Sequence, residues 1–229
     1  MKVLVVLLVL LIGLGLLLDR LALNAAEGQV AAQLAAEGDL AGPPDVDIRG
    51  FPFLTQALGG RYDEVRISLT ADQLGRPAGT EADVVLRGVR LPLSELLGGT
   101  VRSLPVERID GRATLSYDLL EQELGGDTTL QPEGDGLRIT RTVELFGYTL
   151  PLTAVGTVAL DGNTVVVDVQ QASGAGVSIP GFLVDRATDL LDLRYPVELP
   201  FGLQVTGVSP AADGVHVRVE ARDAVLQAE

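Results

Sequence analysis

The sequence predicts an α+β protein: a long, mostly antiparallel sheet with a few amphipathic helices on its concave side, preceded by an N-terminal hydrophobic helix. Three observations carry this expectation. An unbroken apolar run, VLVVLLVLLIGLGLLL at 3–18, opens the chain. From Asp45 onward apolar residues recur with a period of two, the period of a strand with one wet face. Short stretches of helical spacing at 92–99, 117–126 and 180–193 interrupt the strands.

The apolar run lies between Lys2 and the pair Asp19–Arg20. A positive start and a long hydrophobic region form an export signal. Sixteen helical residues rise about 24 Å, short of the roughly 30 Å hydrocarbon core. Adding Leu21 to Leu23, with Arg20 snorkelling, closes that gap. A signal anchor is therefore favoured, with the amino end inside and the rest exported. The small residues around Ala22 to Ala26 follow a charged pair inside a continuing helix. Protein anchored at the extracytoplasmic face of the plasma membrane and protein released after signal cleavage both stay open. A buried core helix fits least, because no other stretch is so uniformly apolar.

Next comes an amphipathic segment, with Leu23, Ala26, Val30 and Leu34 at helical spacing and Gly38 where a C′ glycine would stand. AGPPD at 41–45 ends it. The organisation reads as 1–20 signal anchor or signal peptide, 21–44 amphipathic helix and linker, and 45–229 a single sheet domain packed with that helix.

Each strand has its apolar row. Val65, Ile67 and Leu69 form one, and Ile109, Ala113, Leu115 and Tyr117 another. Leu137, Ile139, Val143 and Leu145 form a third, interrupted by Arg141. Val165, Val167 and Val169, then Val215, Val217 and Val219, complete the set. Turn signals separate them: EGDG at 133–136, LDGN at 160–163 and ADG at 212–214. The 180–193 stretch places Leu183, Ala187, Leu190 and Leu191 on one helical face and Asp185, Asp189 and Asp192 on the other.

A net charge of −14 leaves no basic footprint for nucleic acid. With no cysteine, disulfides, thiol nucleophiles and thiolate metal sites are excluded. The one histidine, His216, lies between Val215 and Val217 and so projects to the solvent face. DVD (45–47) and DGN (161–163) lack the spacing of a calcium loop. Ser178 misses the nucleophile-elbow pattern and has no histidine to pair with. The glycine-rich 172–178 reads as a loop, without the lysine of a phosphate cradle. Neither catalytic residue, metal nor cofactor is expected.

The rings remain. Eight of the nine rings, five Phe and three Tyr, gather beside glycine and proline: GFPFL with Tyr62, LFGYTLPL (145–152), PGFL (180–183) and YPVELPFGL (195–203). Only Tyr117 stands mid-strand. GFPFLTQALGGRY (50–62) fits neither a helix nor a strand pattern. Rings at such bends either plug the end of a core or line an apolar mouth, and core filling is the commoner use.

GFPFLTQ (50–56), the Gly60 to Tyr62 triplet, LPFGL (199–203) and the later DGV (213–215), in this order and separation, resemble the LmeA-like family of actinobacterial cell-envelope phospholipid-binding proteins. The resemblance covers roughly residues 20–225. It implies a strongly curved sheet wrapping a helix around an apolar groove, and a part in envelope maintenance and lipoglycan mannan elongation. It turns the balance on the rings, making Phe51, Phe53, Leu54, Tyr62, Phe146, Tyr148, Phe182, Leu183 and Phe201 groove candidates. Arg49 and Arg61 become candidate headgroup contacts, although solvated strand-end charges are the simpler reading. The expected partners are phospholipid and, through the N-terminal segment, a membrane. A scaffold without lipid and a carboxylate-dependent envelope hydrolase are the competing readings.

Overall fold

The structure, a computed structural model, describes residues 2–92, 103–125, 127–145, 148–162, 164–174, 177–178, 194–196 and 199–227. The expected helix at 180–193 lies outside them, as does that at 92–99 apart from Pro92.

The apolar run and the segment after it form one continuous helix, α1 (Lys2–Glu37), which is long and apolar enough to cross a membrane. No proline separates the two parts, and Gly28 costs only about 1 kcal/mol relative to alanine. The end of α1 differs from expectation by one residue. Leu40 N–H donates to the Ala35 carbonyl at 3.2 Å, the six-to-one bond of a Schellman ending. The left-handed residue is therefore Asp39 (φ 49), not Gly38.

Among the described residues twelve strands follow: β1 (Asp45–Arg49), β2 (Arg61–Leu69), β3 (Glu81–Arg90), β4 (Ser103–Leu115), β5 (Thr128–Glu133), β6 (Gly136–Leu145), β7 (Tyr148–Asp161), β8 (Thr164–Gly174), β9 (Val177–Ser178), β10 (Arg194–Pro196), β11 (Gln204–Ala211) and β12 (Gly214–Gln227). Short helices α2 (Phe53–Gly59), α3 (Ala71–Leu74) and α4 (Tyr117–Leu124) lie between them. The α+β class and the antiparallel pairing hold, but the strands divide between two sheets rather than forming one. The first runs β1-β2-β3-β4-β12-β11; the second runs β10-β8-β7-β6-β5, with β9 on β8. The turn signals mark the hairpins: Glu133 pairs with Gly136, Asp161 with Thr164 and Ala211 with Gly214.

Two readings need correction. Residues 53–59 are a helix, which the sequence hid because its apolar residues fall on both faces. Tyr117 does not end the β4 row; it opens α4, because Ser116 takes the N-cap position and accepts from Leu119 N–H at 3.3 Å.

The chain divides into two compact units. One comprises Met1–Leu69, Asp83–Asp110 and Ala221–Glu229. Its buried apolar residues include Leu23, Ile48, Phe53, Tyr62, Val65, Leu86, Val106 and Ile109. Two carboxylates of α1 fix the helix to this unit. Glu27 accepts from Ile48 N–H at 2.9 Å, which satisfies a backbone donor on the edge strand β1. Asp19, only 3% exposed, accepts from Leu54 N–H at 2.8 Å. Pro52 at the N-cap of α2 offers no side-chain acceptor, so Asp19 caps that helix from 35 residues away. The other unit comprises Thr70–Ala82 and Gly111–Glu220. Its buried cluster is Leu130, Leu137, Ile139, Ala154 and Val215, with Leu120, Leu124, Val158, Val208 and Val217 against it.

An ion-pair ladder crosses β2, β3 and β4. Glu64 meets Arg66 at 2.7 Å and Arg87 at 3.2 Å; Arg87 also pairs with Asp110, which meets Arg108 at 2.7 Å. The hydrogen bond from Arg66 holds the Glu64 carboxyl below its usual range, and that from Arg108 does the same for Asp110. Groups depressed in the folded state stabilise it above the unfolded carboxylate pKa of about 4, and that contribution is lost as pH falls through the folded values. Thermal melts should therefore stay level from about pH 7 to 5 and drop below about pH 4. Arg66→Gln should flatten part of that drop. At the α1 junction, a hydrogen bond to a charged acceptor contributes about 1.5–3 kcal/mol. Asp19→Ala should cost stability of that order and accelerate hydrogen exchange at the Leu54 amide, with Asp19→Asn intermediate.

Candidate functional site

The unit built from Thr70–Ala82 and Gly111–Glu220 contains an apolar cavity of about 590 Å³. Its walls are the period-two rows. β4 contributes Ala113 and Leu115, β6 contributes Leu137 and Ile139, and β12 contributes Val215, Val217 and Val219. Val205 and Val208 of β11 add to these, and α4 supplies Leu120 and Leu124, four residues apart on one helical face. Among the described lining residues none is aromatic, and only Glu123, Thr128 and Arg141 are polar. An apolar space of this kind holds apolar matter better than water.

The polar residues have distinct surroundings. Glu123 pairs with Arg76 at 3.2 Å, both exposed. Thr128 is buried and lies opposite Arg141 in the β5–β6 register. Arg141, whose place in the inner row looked like an interruption in the sequence, lines the cavity wall. It makes no ion pair among the described residues.

Four of the groove candidates, Phe51, Phe53, Leu54 and Tyr62, belong to the other unit. Phe53 and Tyr62 are buried in the unit that holds α1, with ring centroids 6.2 Å apart. Burial pushes the Tyr62 hydroxyl up from its ordinary value. Phe51 and Leu54 belong to the same unit but are exposed. Phe201 is exposed on a turn at Pro200–Gly202 and has a left-handed backbone (φ 60). Tyr148 opens β7. Phe146, Phe182 and Leu183 lie outside the described residues. None of the candidates appears among the described lining residues of the cavity. Arg49 meets Asp47 at 2.7 Å, and that hydrogen bond holds its guanidinium above the ordinary value. Arg61 meets Glu107 at 3.1 Å. His216 faces solvent, with Nε2 2.9 Å from Asp213. No cluster of three or more His, Cys, Asp or Glu able to hold a metal occurs among the described residues.

A family model described as LmeA-like phospholipid-binding matches residues 17–220. The chain belongs to that family. No curated protein and no solved structure matches it. The match begins within α1, so the LmeA-like region includes Asp19 and the helix beyond it. The GFPFLTQ stretch also gains a structural account. Gly50 has φ +117, and a Cβ there would strike the Gln56 amide. Gln56 in turn accepts from Asp63 N–H at 2.9 Å, tying α2 to β2. Gly60 is left-handed (φ 62), and a Cβ there would come within 3.1 Å of Pro92 Cα.

Burial separates the two phenylalanines of this stretch. Phe53→Ala should destabilise the protein by about 3–5 kcal/mol, the range for a buried ring. Phe51→Ala should change stability by less than about 0.5 kcal/mol, the usual span for an exposed site. Denaturant melts of the two variants check both.

Proposed function

We propose that this chain is a non-catalytic phospholipid-binding protein of the cell envelope, anchored by α1, that holds an acyl chain in the aliphatic cavity. The observation that carries the reading is the cavity itself in a phospholipid-binding family: about 590 Å³, walled by valine, leucine and isoleucine. At about 30 Å³ per methylene-sized group, such a space takes on the order of 20 heavy atoms, the scale of one membrane acyl chain. Each methylene transferred from water contributes about 0.8 kcal/mol, so affinity needs no charged pocket. That suits a protein of net charge −14. Arg141 supplies a cation at the wall that an anionic headgroup can meet.

The lining chemistry supports binding over catalysis. Acid–base hydrolysis needs two carboxylates with separate roles. Glu123 is the one carboxylate among the described lining residues, and it faces Arg76. On this reading α1 keeps the protein at the extracytoplasmic face of the plasma membrane, and the bound lipid serves envelope maintenance.

The test uses the full chain in detergent micelles mixed with a phospholipid carrying a photoactivatable acyl chain. Label should map to peptides from β6 and β12. Ala113→Phe, which places a ring in the cavity, should reduce that label several-fold and leave the melting temperature near wild type. Label confined to α1, or unchanged cavity label in Ala113→Phe, would sink the reading and favour a scaffold without lipid.

A further inference from the structure

Helix α2 is apolar on two faces. Phe53 and Ala57, four residues apart, are buried. Leu54 and Leu58, also four apart, look outward: Leu58 is 75% exposed and Leu54 37%, with Phe51 just ahead at 59%. A surface helix in water carries polar residues opposite its buried stripe. This one carries leucine. Two exposed leucines on so short an element, with Phe51 just before it, mark a contact with something other than water.

The attachment of α2 identifies that contact. Asp19, which caps α2 through Leu54 N–H at 2.8 Å, directly follows Leu18, the last residue of the apolar run. Arg20 sits with Cζ 5.5 Å from the Phe51 ring centroid, a cation–π distance. The side chains of Val3 to Ile12 on α1 are exposed, and so is Leu21. The end of that run is therefore close to Phe51 and Leu54, and Leu58 lies one helical turn beyond Leu54. Arg20 stands against Phe51, and Arg49 and Arg61 bracket the patch in the chain, each paired with a carboxylate, Asp47 and Glu107. Rings and leucines beside arginines are the composition of a membrane interface, where apolar groups enter to a depth of about 5–10 Å and cations stay at the headgroups.

We propose that residues 50–60 form a membrane foot: Phe51, Leu54 and Leu58 seat in the interfacial layer of the same bilayer that α1 spans. The foot rests on the reading of α1 as a membrane span and is independent of what the cavity binds.

The natural chain has no cysteine, so single cysteines can report depth in the full-length protein. Leu58→Cys and Phe51→Cys, each labelled with an environment-sensitive fluorophore, test the foot. Leu11→Cys reports the span. Asp45→Cys lies at the far end of β1, about 13 Å along the strand from Arg49. The protein is reconstituted in vesicles of phosphatidylcholine and phosphatidylglycerol, with and without lipids spin-labelled near the headgroup or along the acyl chain. Leu11 should be quenched by chain-labelled lipid. Positions 51 and 58 should be quenched by the shallow label and shifted to the blue, while position 45 stays unquenched. Quenching at Leu11 without quenching at either 51 or 58 would overturn the foot and leave the patch to a protein partner. Equal quenching at 45 and 58 would also overturn it, because the body would then lie on the bilayer without a foot. No quenching at Leu11 would remove the span, and the foot with it, while photolabelling of the cavity would still stand.

Discussion

A buried carboxylate just past the apolar run, midway along α1, organises the unit around that helix. Asp19 comes one residue after a run that water cannot solvate, yet it is turned into protein and bonded to the first turn of α2. Because α2 starts at a proline-led N-cap without a side-chain acceptor, it needs that oxygen from elsewhere. The need fixes the rotation of α1 about its axis. Once Asp19 faces α2, residues 23 and 31 face the body, and Glu27 reaches the open edge of β1. One helix thus closes two backbone vacancies, at a helix start and at a sheet edge.

The family signature in this region works through backbone geometry more than through its rings. Gly50 and Gly60 occupy conformations that a side chain would strain, and the Gln56 amide bridges α2 to β2. Phe53 and Tyr62 hold the stretch together from within. The stretch thus also serves as the corner that positions α2 against β2. The cavity takes the opposite route. Its described walls take only Leu199 and Val215 from the signature stretches; most of the rest are ordinary rows of aliphatic side chains.

Much of this was legible because strand periodicity is local. Rows at 113–115, 137–139 and 215–219 announced their inward faces, and these became cavity wall. The three turn signals fell on hairpins. Even Arg141 was visible as a break in a row, although what the row enclosed was not. The failures share a cause: they depend on contacts far apart in the chain or on patterns too short to have a period. Seven residues with apolar groups on both faces show no amphipathic stripe, so α2 was missed. Its cap lies 35 residues earlier, beyond any window. The division of strands between two sheets depends on pairings such as β4 with β12, which alternation alone does not specify.

The unbroken course of α1 limits where the protein can act. A helix of 36 residues is about 54 Å long, and nothing within it serves as a swivel. A carrier on a floppy tether samples a hemisphere and can commute between surfaces. With α1 as the proposed span and its second half bonded to β1 and α2, the unit around it has no such reach. A lipid held anywhere in the chain would then stay tethered to the bilayer that α1 spans, and carriage beyond the reach of the chain would fall to a second carrier.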